Sequence, residues 1–296
     1  MPNGNILALV YDANTYEEAE AFGWARTEFP KGKVSTESII EIEANLETGG
    51  SRIVWRWDSR NHLGKNDYGK LDPNYDRIKR RFVTGQIFHF NSIDYNEALD
   101  QILVSSAVFG EVLVIDHDTT AEEAKGERGD FLYRWGNPHT HGAGDDEDTQ
   151  LWWQHDAEWL DSNGKIMIFT NGGMRDKEGR YDPERVFLGL FDGAWSDVPI
   201  VQLPLTDDGN YDKEEGATVE RHFNRDGDVD FIAPFMSGVQ LLPNDNLLLV
   251  QAHDSRVLEV LPDGTPVLDF QLALPGRLFR VTKFGREHPA VARMVE

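Results

Sequence analysis

The chain has 296 residues, 40% of them apolar and 11% aromatic, and it contains no cysteine. This composition suits a packed globular protein and excludes disulfides, thiolate metal sites and cysteine nucleophiles. With 52 acidic against 29 basic residues the formal charge is −23, so the overall field repels nucleic acid, anionic membrane and anionic substrates, and any anion site has to be local.

The predicted elements are mostly short strands set off by turn residues. PNGNILALVYD, ESIIEIEA and SRIVWRWD come first, and TYEEAEAFGW between the first two reads as a short helix. HFNSIDYNEALDQILVSS follows as strand, polar turn and strand, then GEVLVIDHD and GDFLYRWGN. The linker between those two, TTAEEAKG, opens with Thr120 and Glu123 at capping-box spacing. A third unit gives QHDAEWLDSNGKIMIFTN, ERVFLGLFDG and ATVERHFN, and a fourth gives SGVQLLPNDNLLLVQA and SRVLEVLPDGTPVLDFQL around Asn/Asp/Gly turns. RLFRVTKFGREHPAV offers one more strand that could close the array.

The same four-strand plan recurs at a spacing of roughly 65 to 95 residues, a propeller repeat of about 40 to 50 residues swollen by loops. The expected fold is all-β: one β-propeller domain over residues 1–296 built of four-stranded antiparallel blades, with units near 1–60, 86–137, 153–224 and 235–285. The first unit lacks an opening strand. A β-sandwich is the competing architecture, but it does not explain a repeated four-strand plan.

Chemistry is expected where first strands begin, because the innermost strand of a blade faces the propeller axis. His89, His155 and Ser237 head successive first strands, and His89 and Asn91 share one strand face. Imidazole serves as nucleophile, acid, base or, when protonated, anion clamp. The competing reading is that both histidines are buried polar residues satisfied by backbone. Arg175, at the end of FTNGGMR, offers a guanidinium for an anion, against the plainer reading of a solvated loop arginine. No carboxylate is spaced beside either histidine for a metal, so neither metal nor cofactor is expected.

HFNSIDYNEALDQILVSS, EVLVIDHDTTAEEAKG, GDFLYRWGNP, QHDAEWL, IFTNGGMR, SGVQLLPNDNLLL and LFRVTKF, in this order, resemble the bacterial arylsulfotransferases. The resemblance implies a six-bladed propeller that moves a sulfuryl group from a phenolic sulfate ester to a phenol in a ping-pong reaction through a sulfated histidine. It implies that His155 carries the group and that His89 and Asn91 bind the sulfate oxygens. Two departures stand out. The family's histidine upstream of the PNGNIL motif has no counterpart after Met1, and its sulfate-binding arginine aligns with Ala107.

The expected partners are therefore a small aryl sulfate donor and a phenol acceptor, with no nucleic acid and no membrane insertion. The short count of blades suggests an N-terminal truncation or a divergent member that closes differently. Family members are usually exported, which points to the periplasm or the exterior, although no run here has the form of a signal or a membrane span. The alternative function is a propeller that has lost catalysis and serves as a binding or scaffolding module. A quinone-cofactor dehydrogenase lacks its cofactor and calcium residues here.

Several other signals have plainer readings. NRDGDVD at 224–230 lacks the twelfth-position glutamate of an EF-hand and reads as a polar turn. His139 and His141 in PHTHG, with GDDEDTQ after them, read as an exposed acidic loop. Trp152 or Trp153 could stack on an aryl ring.

Overall fold

The computed structural model describes residues 1–21, 34–45, 47–62, 86, 88–172, 194–213, 215–227, 229–273, 277–286, 288 and 291. Among the described residues the first sheet has three strands, β1 (Ile6–Asn14), β2 (Val34–Asn45) and β3 (Gly50–Asp58), in the order β1-β2-β3. After β1 comes helix α1 (Tyr16–Ala21), whose start is fixed by a reciprocal capping box. The Thr15 N–H donates to Glu18 Oε2 at 2.7 Å and the Glu18 N–H to Thr15 Oγ1 at 3.2 Å.

The second sheet runs β4 (Phe90–Asn96), β5 (Gln101–Ser106), β6 (Glu111–Asp116) and β7 (Phe131–Trp135), each paired with its neighbour in sequence. The runs QILVSS and EVLVID are buried nearly throughout, as the middle strands of a covered sheet must be. Ile39, Trp55 and Trp57 of the first sheet pack with Phe88, Phe90, Ile102, Phe109, Leu113 and Ile115 in one core. Each such side chain contributes on the order of 1.5–3 kcal/mol by leaving water. The buried indoles keep their polar ends bonded: Trp57 Nε1–H donates to Gly129 O at 2.7 Å and Trp55 Nε1–H to Thr119 Oγ1 at 3.1 Å.

The third sheet holds β8 (His155–Trp159), β9 (Lys165–Phe169), β10 (Val198–Gln202) and β11 (Thr218–Phe223). The fourth holds β12 (Gly238–Leu241), β13 (Leu247–Gln251), β14 (Arg256–Val260) and β15 (Pro266–Gln271). Antiparallel meanders in which sequence neighbours pair are the blades of a β-propeller, the all-β class expected. The turns are the Asn/Asp/Gly ones expected: Gly164 (φ 86°), Asp245 (φ 65°) and Gly264 (φ 87°) take the left-handed backbone that hairpin turns need.

Three expectations are adjusted. The strand expected at ERVFLGLFDG lies outside the described residues, and the strand that pairs with β9 is Val198–Gln202. TTAEEAKG forms only a 3-10 turn, Glu123–Lys125, although its Thr120–Glu123 capping box is present. The described part of RLFRVTKFGREHPAV is not a strand. It nevertheless lies along β12, where Lys283 N–H donates to Gln240 Oε1 at 2.8 Å and Gln240 Nε2–H to Lys283 O at 3.2 Å.

Contacts divide the chain into two compact units, Met1–Met167 with Ile200–Glu220, and Ile168–Pro199 with Arg221–Glu296.

Candidate functional site in the first unit

His89 immediately precedes β4 and has a left-handed backbone, φ 52°, which is uncommon for a residue with a side chain. Both sides of its peptide are tied. Its N–H donates to Glu37 Oε1 at 2.9 Å, and its carbonyl accepts from Ala107 N–H at 3.3 Å. The ring Nδ1 is bonded to Gln86 Oε1, and the ring face stacks on Trp153 with centroids 5.5 Å apart and planes 19° apart.

His155 is the first residue of β8 and is buried, with Nδ1 3.3 Å from Trp153 O. Asn91, on β4, donates Nδ2–H to Gln154 O at 2.7 Å. The His89 ring and the Asn91 amide therefore converge on Trp153 and Gln154, the two residues that lead into His155. Gln154 is itself pinned, because its Nε2 donates at 2.9 Å to both Ser106 O and Glu111 O of the second sheet.

These bonds assign the protons. A carbonyl or amide oxygen can only accept, so both imidazoles carry a proton on Nδ1. Burial holds the His89 pKa below the ordinary histidine value, which favours the neutral ring at pH 7. One N–H of Asn91 is committed to Gln154 O, so a single amide N–H, not a pair, remains for a ligand.

The frame under the site is polar side chain to backbone. Ser92 Oγ accepts from Ala157 N–H at 3.0 Å and Asp94 Oδ2 from Trp159 N–H at 2.7 Å, so alternate residues of β4 hold the backbone of β8. Trp153 (φ 57°) and Asp156 (φ 53°) share the left-handed backbone of His89, and strained φ values of this kind cluster at functional sites.

Ala107 is 3% exposed, so the position that aligns with the family's arginine is closed by a methyl group. Arg175 lies outside the described residues. Ser237, at the head of β12, is buried in the other unit, where its Oγ donates to Phe235 O and accepts from Ala252 N–H. His141 is not merely part of an exposed loop: its Nδ1 lies 3.1 Å from Glu111, a fully buried carboxylate that also binds Arg134 Nη2 at 2.6 Å and Thr140 Oγ1 at 2.7 Å. Among the described residues no group of three His, Cys, Asp or Glu is placed to hold a metal.

Sequence reasoning missed Glu37, Gln86 and Gln154. Glu37 opens ESIIEIEA between the polar residues Thr36 and Ser38, where nothing marks it as a core position, yet it is 1% exposed. Burial pushes its carboxyl up to about 8, against the pull of the His89 and Phe88 N–H groups.

In the first unit the His89 ring and the Asn91 amide thus meet the short stretch of backbone that leads into His155 on the blade of a β-propeller. The family model for arylsulfotransferases (ASST) matches residues 1–186, and the chain belongs to this family. Comparison with curated proteins returns no match. Among solved structures the chain is similar to a protein of unknown function from Bacteroides caccae, at 14% identity and TM-score 0.38 over 80% of this chain and 54% of that one. It is also similar to the Cps50 (Swd1) β-propeller domain of Myceliophteria thermophila, at 7% identity and TM-score 0.40 over 79% of this chain and 57% of that one. A third is virginiamycin B lyase from Staphylococcus aureus, at 10% identity and TM-score 0.33 over 92% of this chain and 61% of that one. The chain thus spans less than two thirds of each of these proteins.

Proposed function

We propose that this chain transfers a sulfuryl group from a phenolic sulfate ester to a second phenol through a covalent sulfohistidine at His155. In the first half-reaction the Nε2 lone pair of His155 forms an N–S bond, the ester S–O bond breaks, and phenolate leaves. In the second, the acceptor phenol oxygen attacks that sulfur, the N–S bond breaks, and the phenolic proton passes to a base. Charge collecting on the sulfuryl oxygens meets the remaining N–H of Asn91 and His89, with Arg175 as a further cation. A neutral His89 with its proton on Nδ1 donates from Nε2 only after taking up a second proton.

The observation that carries this reading is the convergence of the His89 ring and the Asn91 amide on Trp153 and Gln154, directly before His155. The test is incubation with an aryl sulfate that releases a coloured phenol, with and without an acceptor phenol. Acceptor-dependent release that disappears in His155→Ala, with the mass of one SO3 gained on the His155 peptide of the wild type, is the expected result. Release unchanged in His155→Ala rejects the assignment.

A second reading, a propeller without catalysis that binds or scaffolds, is favoured by buried Ala107 in the place of a sulfate-binding arginine. It predicts aryl sulfate binding without release by well-folded protein. The reading takes residues 1–296 as one propeller domain that needs no cofactor and acts on small molecules, not nucleic acid. It places the protein in the periplasm or outside the cell, as the family resemblance suggests. Among the described residues no helix is long and apolar enough to cross a membrane.

A further inference from the structure

We infer that Glu37 is the positioning residue of this site: its buried carboxyl group clamps the consecutive N–H groups of Phe88 and His89 and so holds His89 in the left-handed turn that lays its imidazole on Trp153. The inference rests on the proposed role of His89 in sulfuryl transfer.

Glu37 belongs to β2, in the first sheet, and reaches the second sheet at the point where β4 begins. Its Oε1 accepts from His89 N–H at 2.9 Å and from Phe88 N–H at 3.2 Å, and its Oε2 lies 3.3 Å from Phe88 N. Two successive peptide N–H groups turned toward one acidic group form the concavity that elsewhere binds free anions, and here a side chain of the protein fills it. A histidine at φ 52° is unfavourable in itself and has only the ring bond to Gln86 nearby in sequence, so the turn persists because its surroundings over-determine it.

The surroundings can be named. Glu37 takes the N–H of His89, and Ala107 gives its N–H to the carbonyl of His89. Ser106 Oγ donates to Phe88 O at 2.7 Å, and Tyr11 Oη donates to Phe90 O at 2.7 Å. Of these only Glu37 holds the N–H of the histidine itself. Without it, two buried donors lose their acceptor and the backbone is free to relax toward an ordinary extended strand start. That relaxation turns the side chain of residue 89 away from Trp153.

Charge fits the same role. Besides the peptide donors it accepts, the charged group acting on Glu37 is Asp12, and Glu37 in turn raises the pKa of Tyr11. Burial keeps the acid largely protonated at neutral pH, so the clamp sets geometry without placing a full negative charge beside a bound sulfate.

The test compares Glu37→Ala, Glu37→Gln and wild type in two measurements. The first is the histidine-ring nitrogen NMR spectrum, with the His89 signals assigned by their loss in His89→Gln. Wild type and Glu37→Gln, which keeps an acceptor oxygen, should both show the Nδ1-protonated tautomer, and Glu37→Ala should show shifted His89 signals with mixed tautomers. The second is turnover of the aryl sulfate: Glu37→Ala should lose about 10²-fold in kcat, the scale of a misplaced catalytic group, and Glu37→Gln should recover most of it.

A folded Glu37→Ala with wild-type His89 signals overturns the inference. If Glu37→Ala does not fold, Glu37→Asp, which withdraws the carboxylate by one methylene, is decided by the same signals: moved signals support the clamp and unmoved signals overturn it. Wild-type protein that shows no sulfuryl transfer, but whose His89 signals move in the variants, refutes the proposed activity and leaves the clamp standing.

Discussion

Replacing Glu37 with glutamine should flatten a pH dependence of stability that the native protein carries. Burial raises this carboxyl from an ordinary 4.5 to about 8. The folded protein therefore keeps a proton that the unfolded chain releases, and the stability this adds is whole below about pH 4.5 and lost as pH rises through about 8. The difference of roughly 3.5 units corresponds to about 5 kcal/mol in all, and to a slope of about 1.4 kcal/mol per pH unit between those limits. A loss of that size rivals the whole stability of many domains, so it is readily measured.

Glutamine has no proton to lose, and urea unfolding of both proteins at several pH values from about 5 to about 9 isolates the residue. Subtraction cancels other groups that titrate there, such as Glu158, which burial and Asp94 push up to about 7. Glu37→Gln should gain on the wild type as pH rises. A difference constant to within about 0.5 kcal/mol across this range would refute the reasoning.

Further outcomes follow from the packing. Arg134→Met leaves the fully buried Glu111 without its 2.6 Å partner and should destabilise by about 3–5 kcal/mol in urea unfolding. Arg256→Ala breaks the 2.8 Å pair with the half-exposed Asp269 and should shift the same measurement by less than about 1 kcal/mol. Gly172 has φ 69°, and a Cβ there would lie 1.8 Å from Trp195 O; Gly172→Ala should destabilise by upward of about 2 kcal/mol, read as a markedly lower thermal midpoint. Asn91→Ala removes one hydrogen bond to Gln154 O and should cost only about 1 kcal/mol in unfolding, while aryl sulfate turnover falls far more.

Most of the fold was legible because local pattern and packing agree. The runs QILVSS and EVLVID are apolar enough to announce middle strands, and the Asn/Asp/Gly turns mark their ends. The strand Val198–Gln202 was missed, since Pro199 within it reads as a breaker. The positions of His89 and His155 at the heads of β4 and β8 were visible from register. Their supports were not, because Glu37 and His89 stand 52 residues apart, and His141 and Glu111 stand 30 apart. No periodicity or local spacing encodes such a pair, and a glutamate set between Thr36 and Ser38 looks like any solvated residue.

The side chains of Ser92 and Asp94, which occupy the N–H groups of Ala157 and Trp159, have a bearing on how the margin of the third sheet is closed. An unclaimed margin of a β-sheet invites a foreign extended chain to zip onto it. Here two of the donors such an intruder would grasp are already plugged by a hydroxyl and a carboxylate of a neighbouring blade. Replacing both with alanine would unplug them, and self-association of otherwise folded protein is what light scattering should then detect.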